Sequence, residues 1–189
     1  MEFIDKIYEY YRILFDKLVG TDFIEYSIQK DIKNLTHINI GSHSYSWHLK
    51  NVFKKLNINN DSIIDIGSSK GAAMFLMSQY KFKRIDGIEL STKLSKIAKQ
   101  NFKKLNLSEL RIYNIDARDF NNYKNYNIYY MYNPFSEFIL EKVIEKISDS
   151  NPKNIEKIII YNNPKYPFIL KKYKFYMKSD MPGRWGNRI

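Results

Sequence analysis

The sequence predicts an α/β fold, a doubly wound three-layer sheet that is mostly parallel and has one reversed strand. Three observations carry this reading. From residue 61 onward, short apolar runs alternate with amphipathic helical stretches. Polar and turn-forming residues gather at the same end of each run. The last two runs are joined by a short turn at Pro182–Gly183, which fits antiparallel neighbours.

The elements follow in order. Phe3, Ile7, Tyr10, Tyr11, Leu14 and Leu18 recur at helical spacing over residues 2–18, and Gly20 stops that helix. Residues 21–42 read as irregular, with a short extended piece around Phe23–Ile28. Residues 45–56 put Tyr45, Leu49, Val52, Phe53 and Leu56 on one helical face. The first strand is Ile63–Ile66, followed by a helix over 71–80. A strand at 84–89 leads to a helix over 92–104, a strand at 110–115 and another at 126–132. A helix over 136–148, a strand at 155–161 and a short helix over 165–171 continue the alternation. "YKFYMKS" and "RWGNRI" then supply the last two strands, making seven. There is no low-complexity linker, and no repeat stands out. Residues 1–60 read as a helical extension or lid within the same unit, and residues 61–189 as the core.

With 189 residues, 44% hydrophobic and 16% aromatic, the chain has enough apolar material for one packed domain and is not disordered. It contains no cysteine, which excludes disulfides and thiolate metal sites and fits a cytoplasmic protein. No apolar run has the length of a membrane span, and the N-terminus lacks the basic start and unbroken apolar stretch of a signal peptide. The formal net charge of +11 allows a nucleic-acid partner, although the lysines are dispersed. His37, His43 and His48 lack the paired spacing of metal ligands and read as neither metal-binding nor catalytic. "YKNY" and "KKYKFY" read either as base-stacking stretches or as strands with one solvated face.

Ligands of doubly wound sheets bind at the carboxyl ends of the strands. Those ends read Asp65-Ile-Gly67-Ser-Ser69-Lys70-Gly71, then Glu89, then Asp116-Ala117, then Asn133-Pro134-Phe135, then Asn162-Asn163-Pro164. The loop after Asp65 lacks the Lys-Ser/Thr pair of a triphosphate cradle, and its glycine spacing is one residue too tight for a dinucleotide fingerprint. An acid just before the loop suits a ligand with a cationic end. S-adenosylmethionine (SAM) is such a ligand. Asp65 faces its cationic end, backbone N–H groups of the loop face its carboxylate, Glu89 accepts the two ribose hydroxyls, and Asp116 either takes the adenine amino group or caps the turn at 116–120, "DARDF".

The motifs "DIGSSKG" (65–71), "GIE" (87–89), "YNPF" (132–135) and "YNNP" (161–164), in this order, resemble the class I, Rossmann-like, SAM-dependent methyltransferases. More narrowly they resemble a bacterial subgroup with a D-x-G-S-G-K-G loop and an N-P-F strand end. "FDKLVGTDF" (15–23) and "GSHSYSWHL" (41–49) are similar to the N-terminal part of that subgroup. The resemblance implies a SAM-dependent methyltransferase with a methyl acceptor that it leaves open. It implies cofactor contacts from Asp65, Gly67, Ser69, Lys70, Gly71, Glu89, Asp116, Ala117 and Asn133, and catalytic positioning by Asn133, Pro134 and Phe135. Lys70 is expected near the SAM carboxylate or as an exposed lysine, and Ser44 and Tyr45 as a lid or a helix start. Ser69 stands where the family has glycine. Asp86 lies inside a strand and reads as a solvated position near its start. The alternatives are a nucleic-acid base N-methyltransferase and a non-catalytic SAM-binding protein.

Overall fold

The computed structural model describes residues 2–23, 47–150, 155–182 and 189; within the first helix it describes the side chains of residue 7 and of residues 10 onward. The Phe23–Ile28 piece beyond Phe23, the proposed lid residues Ser44 and Tyr45, and His37 and His43 lie outside the described residues.

Helices α1 (Glu2–Val19) and α2 (Trp47–Lys55) precede strand β1 (Ser62–Ile66). There follow α3 (Ala72–Met77), β2 (Arg84–Ile88), α4 (Thr92–Lys104), β3 (Arg111–Tyr113), a 3₁₀ turn at Tyr123–Asn125, β4 (Ile128–Tyr132), α5 (Glu137–Asp149), β5 (Ile158–Asn162) and α6 (Pro167–Lys172). The strands form one sheet in the order β3-β2-β1-β4-β5, and every neighbouring pair is parallel. The chain crosses from one half of the sheet to the other between β3 and β4. The β1/β4 boundary is therefore the switch point, with its crevice at the carboxyl ends of those strands.

Both faces of the sheet are covered. Ile63, Ile85, Ile112, Tyr130 and Ile160 point to one side, where Leu49, Phe53, Met74, Leu76, Ala98 and Phe102 meet them. Ile64, Ile66, Ile88, Tyr129, Met131 and Tyr161 point to the other side, against Ile139, Leu140, Val143, Ile144 and Ile147 of α5. Burial on both faces explains why the strands read as continuous apolar runs rather than as alternating ones.

The sheet has five parallel strands among the described residues, not seven with one antiparallel. Residues 173–179 form no strand. Lys174 has φ +63°, which interrupts an extended run, and Tyr176 and Met177 are 88% and 72% exposed. Neither lysine–tyrosine stretch is a strand: Tyr123 and Tyr126 of "YKNY" are buried around the 3₁₀ turn. Most of "RWGNRI" lies outside the described residues. What remains of the reversed pair is the exchange of backbone hydrogen bonds between Met181 and Ile189, at 2.9 and 3.1 Å.

Helix α1 departs from its pattern in another way. Its apolar stripe faces out: Tyr10, Tyr11, Leu14 and Leu18 are exposed, while Arg12 and Asp16 are buried. The reason is polar anchoring. Asp16 accepts hydrogen bonds from Thr21 Oγ1 (2.6 Å) and the Phe23 N–H (3.0 Å). The Arg12 guanidinium lies over the Phe23 ring at 4.9 Å and the Phe75 ring at 6.0 Å.

Asp86 is not solvated. It is buried inside β2, accepts hydrogen bonds from the Tyr126 and Tyr113 hydroxyls, and pairs with Arg84 Nε at 3.2 Å. A carboxylate at that depth persists only with such partners.

Candidate active site

The glycine loop occupies the crevice at the end of β1. Three of its residues have left-handed backbone: Gly67 (φ +82°), Ser69 (φ +50°) and Gly71 (φ +84°). At two of them a side chain has no room. A Cβ on Gly67 would sit 2.7 Å from the Pro134 Cβ, and one on Gly71 would sit 2.4 Å from the Phe102 ring. The loop is thereby pressed between the Asn-Pro turn after β4 and helix α4. Ser69 adopts a conformation that favours glycine, at a cost of about 1–2 kcal/mol.

That strain is held by Glu89. Its Oε2 accepts the Ser69 N–H at 2.8 Å and its Oε1 accepts the Ser91 N–H at 2.7 Å. Asn114 fixes the backbone behind it, donating to the carbonyls of Glu89 and Leu90 at 2.9 Å each. Glu89 is thus aimed at the loop from the end of β2 by donors on both sides.

Asp65, the last residue but one of β1, is buried. Its pKa is pushed up to about 8, first by burial and then by the charge of Glu89. Two carboxyl groups share a crevice in which only one ionises easily, and a cation there relieves both.

Lys70 is neither surface-exposed nor in a helical turn. It lies in the loop, 1% exposed, with its Nζ 2.6 Å from Asp22 Oδ1. Asn101 of α4 ties the same pieces together: its Oδ1 accepts the Asp22 N–H at 2.8 Å, and its Nδ2 donates to the Asp22 and Lys70 carbonyls at 3.0 and 3.2 Å. The segment after α1 is therefore clamped to the underside of the loop.

Asp116, after β3, closes a turn instead of standing free. It accepts the Arg118 N–H at 2.8 Å, and the Arg118 guanidinium takes both its oxygens. That hydrogen bonding holds its carboxyl below the usual range. Ala117 beside it is buried, and its carbonyl accepts from the Tyr123 hydroxyl at 2.8 Å.

At the end of β4, Asn133 has φ +38° and is 4% exposed; its Oδ1 accepts the Tyr161 hydroxyl at 3.2 Å. Pro134 backs Gly67, and Phe135 packs toward the α5 side of the core. Asp65, Gly67, Ser69, Gly71, Glu89 and Pro134 therefore converge on one crevice. Asp116 stands one strand further out, and the side chains of Asn133 and Phe135 are committed to the layer below.

Several supporting residues escaped the sequence reading. Asn101 left a signal, being a polar residue between Ala98 and Phe102 on the buried face of an amphipathic helix. Gly87, read in the sequence only as part of "GIE", also has a packing role: a Cβ there would lie 2.5 Å from the Met74 sulfur. A short repeat was also overlooked. "NPFSEFIL" and "NPKYPFIL" start from Asn133 and Asn163, both with positive φ (+38° and +52°), and each leads into a helix. The two turns follow adjacent strands in register at Tyr132↔Asn162. No group of three or more metal-ligating side chains occurs among the described residues, and His48 is buried.

No protein-family model matches the chain, and no curated protein does. Solved structures do. A ribosomal protein L11 methylase from Lactobacillus delbrueckii subsp. bulgaricus superposes with a TM-score of 0.62 at 14% identity, over 79% of this chain and 77% of that one. YJHP from E. coli gives 0.53 at 15% identity, over 66% and 51%. A coclaurine N-methyltransferase bound to N-methylheliamine and SAH gives 0.50 at 15% identity, over 68% and 40%. The chain thus spans most of the first and about half or less of the other two. At these identities the likeness is one of fold, and the fold is the Rossmann-like one of methyltransferases.

Proposed function

We propose that this chain is a SAM-dependent methyltransferase whose cofactor lies in the crevice formed by the glycine loop, Asp65 and Glu89. The observation that carries the reading is Glu89. It is a nearly buried carboxylate at the end of β2, aimed at the loop by the Ser69 and Ser91 N–H groups, in the place where an acid accepts ribose hydroxyls in doubly wound sheets.

The remaining residues fit the same ligand. Asp65, pushed toward neutrality by burial, gains from a cationic amino group nearby. The missing side chains at Gly67 and Gly71 let the loop backbone sit between Pro134 and Phe102. Asp116 keeps its carboxylate ionised through Arg118, and taking an adenine amino group would require it to give up part of that pairing. Lys70, neutralised by Asp22, stiffens the loop from below rather than reaching the ligand.

Bound there, SAM supplies an electrophilic methyl group on a sulfonium. The protein has to hold a neutral acceptor in line with it and exclude water. Pro134 forms the wall nearest the loop. Asn133 and Phe135 set that wall's position through Tyr161 and the α5 layer. The L11 methylase and the coclaurine N-methyltransferase act on unlike acceptors, so the acceptor of this chain stays open.

The test is calorimetric titration with SAM, with its demethylated product and with NAD. Binding of the first two, and none of NAD, is expected. NAD binding without SAM binding overturns the reading. SAM binding with no methyl transfer to any acceptor class would favour a non-catalytic SAM-binding role.

A further inference from the structure

Helices α4 and α5 are of equal length, 13 residues each, and lie on opposite faces of the sheet. Their outer faces differ sharply. α5 carries Glu137, Glu141, Glu145 and Asp149 against Lys142 and Lys146. Its charges are engaged locally: Lys142 with Glu145, Lys146 with the Phe120 carbonyl and Asn121, Glu141 with Lys172 of α6. α4 carries Lys93, Lys96, Lys99, Lys103 and Lys104, all exposed, and no acid. Lys104 reaches the Gly20 carbonyl. Lys96, Lys99 and Lys103 make no ion pair among the described residues.

Lys103 and Lys104 suit the C-terminal end of the helix dipole, but that does not explain the ridge as a whole. Like charges at i,i+4, such as Lys99 and Lys103, cost a few tenths of a kcal/mol. Lys93 sits in the first turn, where the helix dipole disfavours a cation. A uniform compositional excess of lysine does not account for it either, because α5 has the same length and carries more acids than lysines.

We infer that the outer face of α4 is a docking surface for the phosphodiester backbone of a nucleic acid. The five lysines fall within one side of the helix and extend over about 16 Å at 1.5 Å per residue. The surface is convex, so it suits an extended polyanion rather than a small enclosed one. Lysines act as point charges toward phosphate and read no sequence. No large apolar side chain of α4 is exposed, so nothing there would insert into a bilayer. The ridge also adjoins the crevice: α4 starts just after Glu89, and its Asn101 holds the Lys70 carbonyl. This inference rests on the charge pattern and holds whether or not the loop binds SAM.

The test measures binding of a labelled single-stranded RNA and a DNA duplex across a salt series. Neutralising about four phosphates predicts a log–log salt slope of about −3. Replacing Lys96, Lys99 and Lys103 by Gln, a good helix former, should bring the slope to about −1 and weaken binding at low salt at least about tenfold. A control with the same charge loss elsewhere, Lys54→Gln with Lys55→Gln and Lys165→Gln, should keep the wild-type slope. If the triple variant loses its helical circular dichroism, the single Lys99→Gln variant carries the test, with a slope reduced by about 0.7–0.9. Equal loss in variant and control, equal competition by polyglutamate, capture by anionic vesicles but not by either oligonucleotide, or no oligonucleotide binding at low salt would each overturn it. Preference for RNA or for DNA identifies the source of the backbone.

Discussion

At the carboxyl ends of β1, β2 and β3, side chains do the organising. Glu89 gathers two backbone N–H groups, Asn114 holds the carbonyls behind it, and Asn101 pins the loop from α4. At the ends of β4 and β5, the backbone does it. Two Asn-Pro turns with left-handed asparagines bend the chain away, and the Asn133 side chain serves the Tyr161 hydroxyl in the layer below. The first half gathers polar atoms around the crevice, and the second presents a shaped wall. This is the division expected when one partner is a polar molecule held the same way every time, and the other is varied by altering a surface.

The most forceful way to break the comparison is through Asp65. Its folded pKa, about 8, lies above the ordinary value of 3.8, so the folded protein holds a proton that the unfolded chain releases. Stability should therefore fall as pH rises from about 4 to about 8 and level off above that, by several kcal/mol over the window. Thermal melts of ligand-free protein should show this fall, and Asp65→Asn should flatten it. An unchanged slope in Asp65→Asn would remove Asp65 from the electrostatics of the crevice.

Next in size is Glu89→Ala. It deletes charge-assisted hydrogen bonds worth about 1.5–3 kcal/mol, so calorimetry should show SAM binding roughly ten- to a hundredfold weaker. Equal affinity would mean that the polar half does not hold the ligand.

The wall is probed by Asn133→Ala against Asn133→Gly. Alanine at φ +38° adds about 1 kcal/mol of strain to the loss of the Tyr161 hydrogen bond, about 1 kcal/mol more. Glycine loses the same hydrogen bond and adds unfolded-chain freedom worth about 0.4–1 kcal/mol, but avoids the added strain. Urea denaturation should rank wild type above Asn133→Gly above Asn133→Ala, with SAM affinity within about twofold throughout. A large loss of SAM binding in Asn133→Gly would erase the distinction between the halves.

The smallest effect belongs to Ser69→Gly. Relief of the left-handed strain, about 1–2 kcal/mol, is offset by the greater freedom of glycine in the unfolded chain, about 0.4–1 kcal/mol. A net gain of up to about 1.5 kcal/mol, read as a higher urea midpoint, is expected, with SAM binding kept, because the N–H donated to Glu89 remains. Weaker binding would show that the serine hydroxyl itself meets the ligand.

The sequence announced the polar half well. Apolar runs fully buried between two helical layers leave an unmistakable pattern, and the helix read over 92–104 is found at Thr92–Lys104. Glu89 and the glycine loop follow from strand ends. The wall was harder to read, because a proline after an asparagine says where a strand stops but not where the side chain turns. Asp116 reads in the sequence as an adenine contact or as a cap of the turn over 116–120, and the structure shows the turn with Arg118; the exposed placement of Lys70 failed because its partner Asp22 lies far away in the sequence. The strand read over 173–179 failed because alternation alone does not make pairing, and Lys174 breaks the run. The outward stripe of α1 failed because hydrophobic period gives a face, and only the buried anchors Arg12 and Asp16 decide which way it points.

The contact between Gly67 and Pro134 has a consequence for how such a chain can change over generations. Its two partners belong to different halves of the sheet and lie far apart in the sequence, yet a methyl group on one would lie 2.7 Å from the ring of the other. Neither position can drift alone. A larger residue at 67 becomes tolerable only in a lineage that has already surrendered the ring at 134, and grafting a foreign strand end after β4 without its matching loop should jam the crevice. Aligned relatives should therefore show these two columns varying together or not at all.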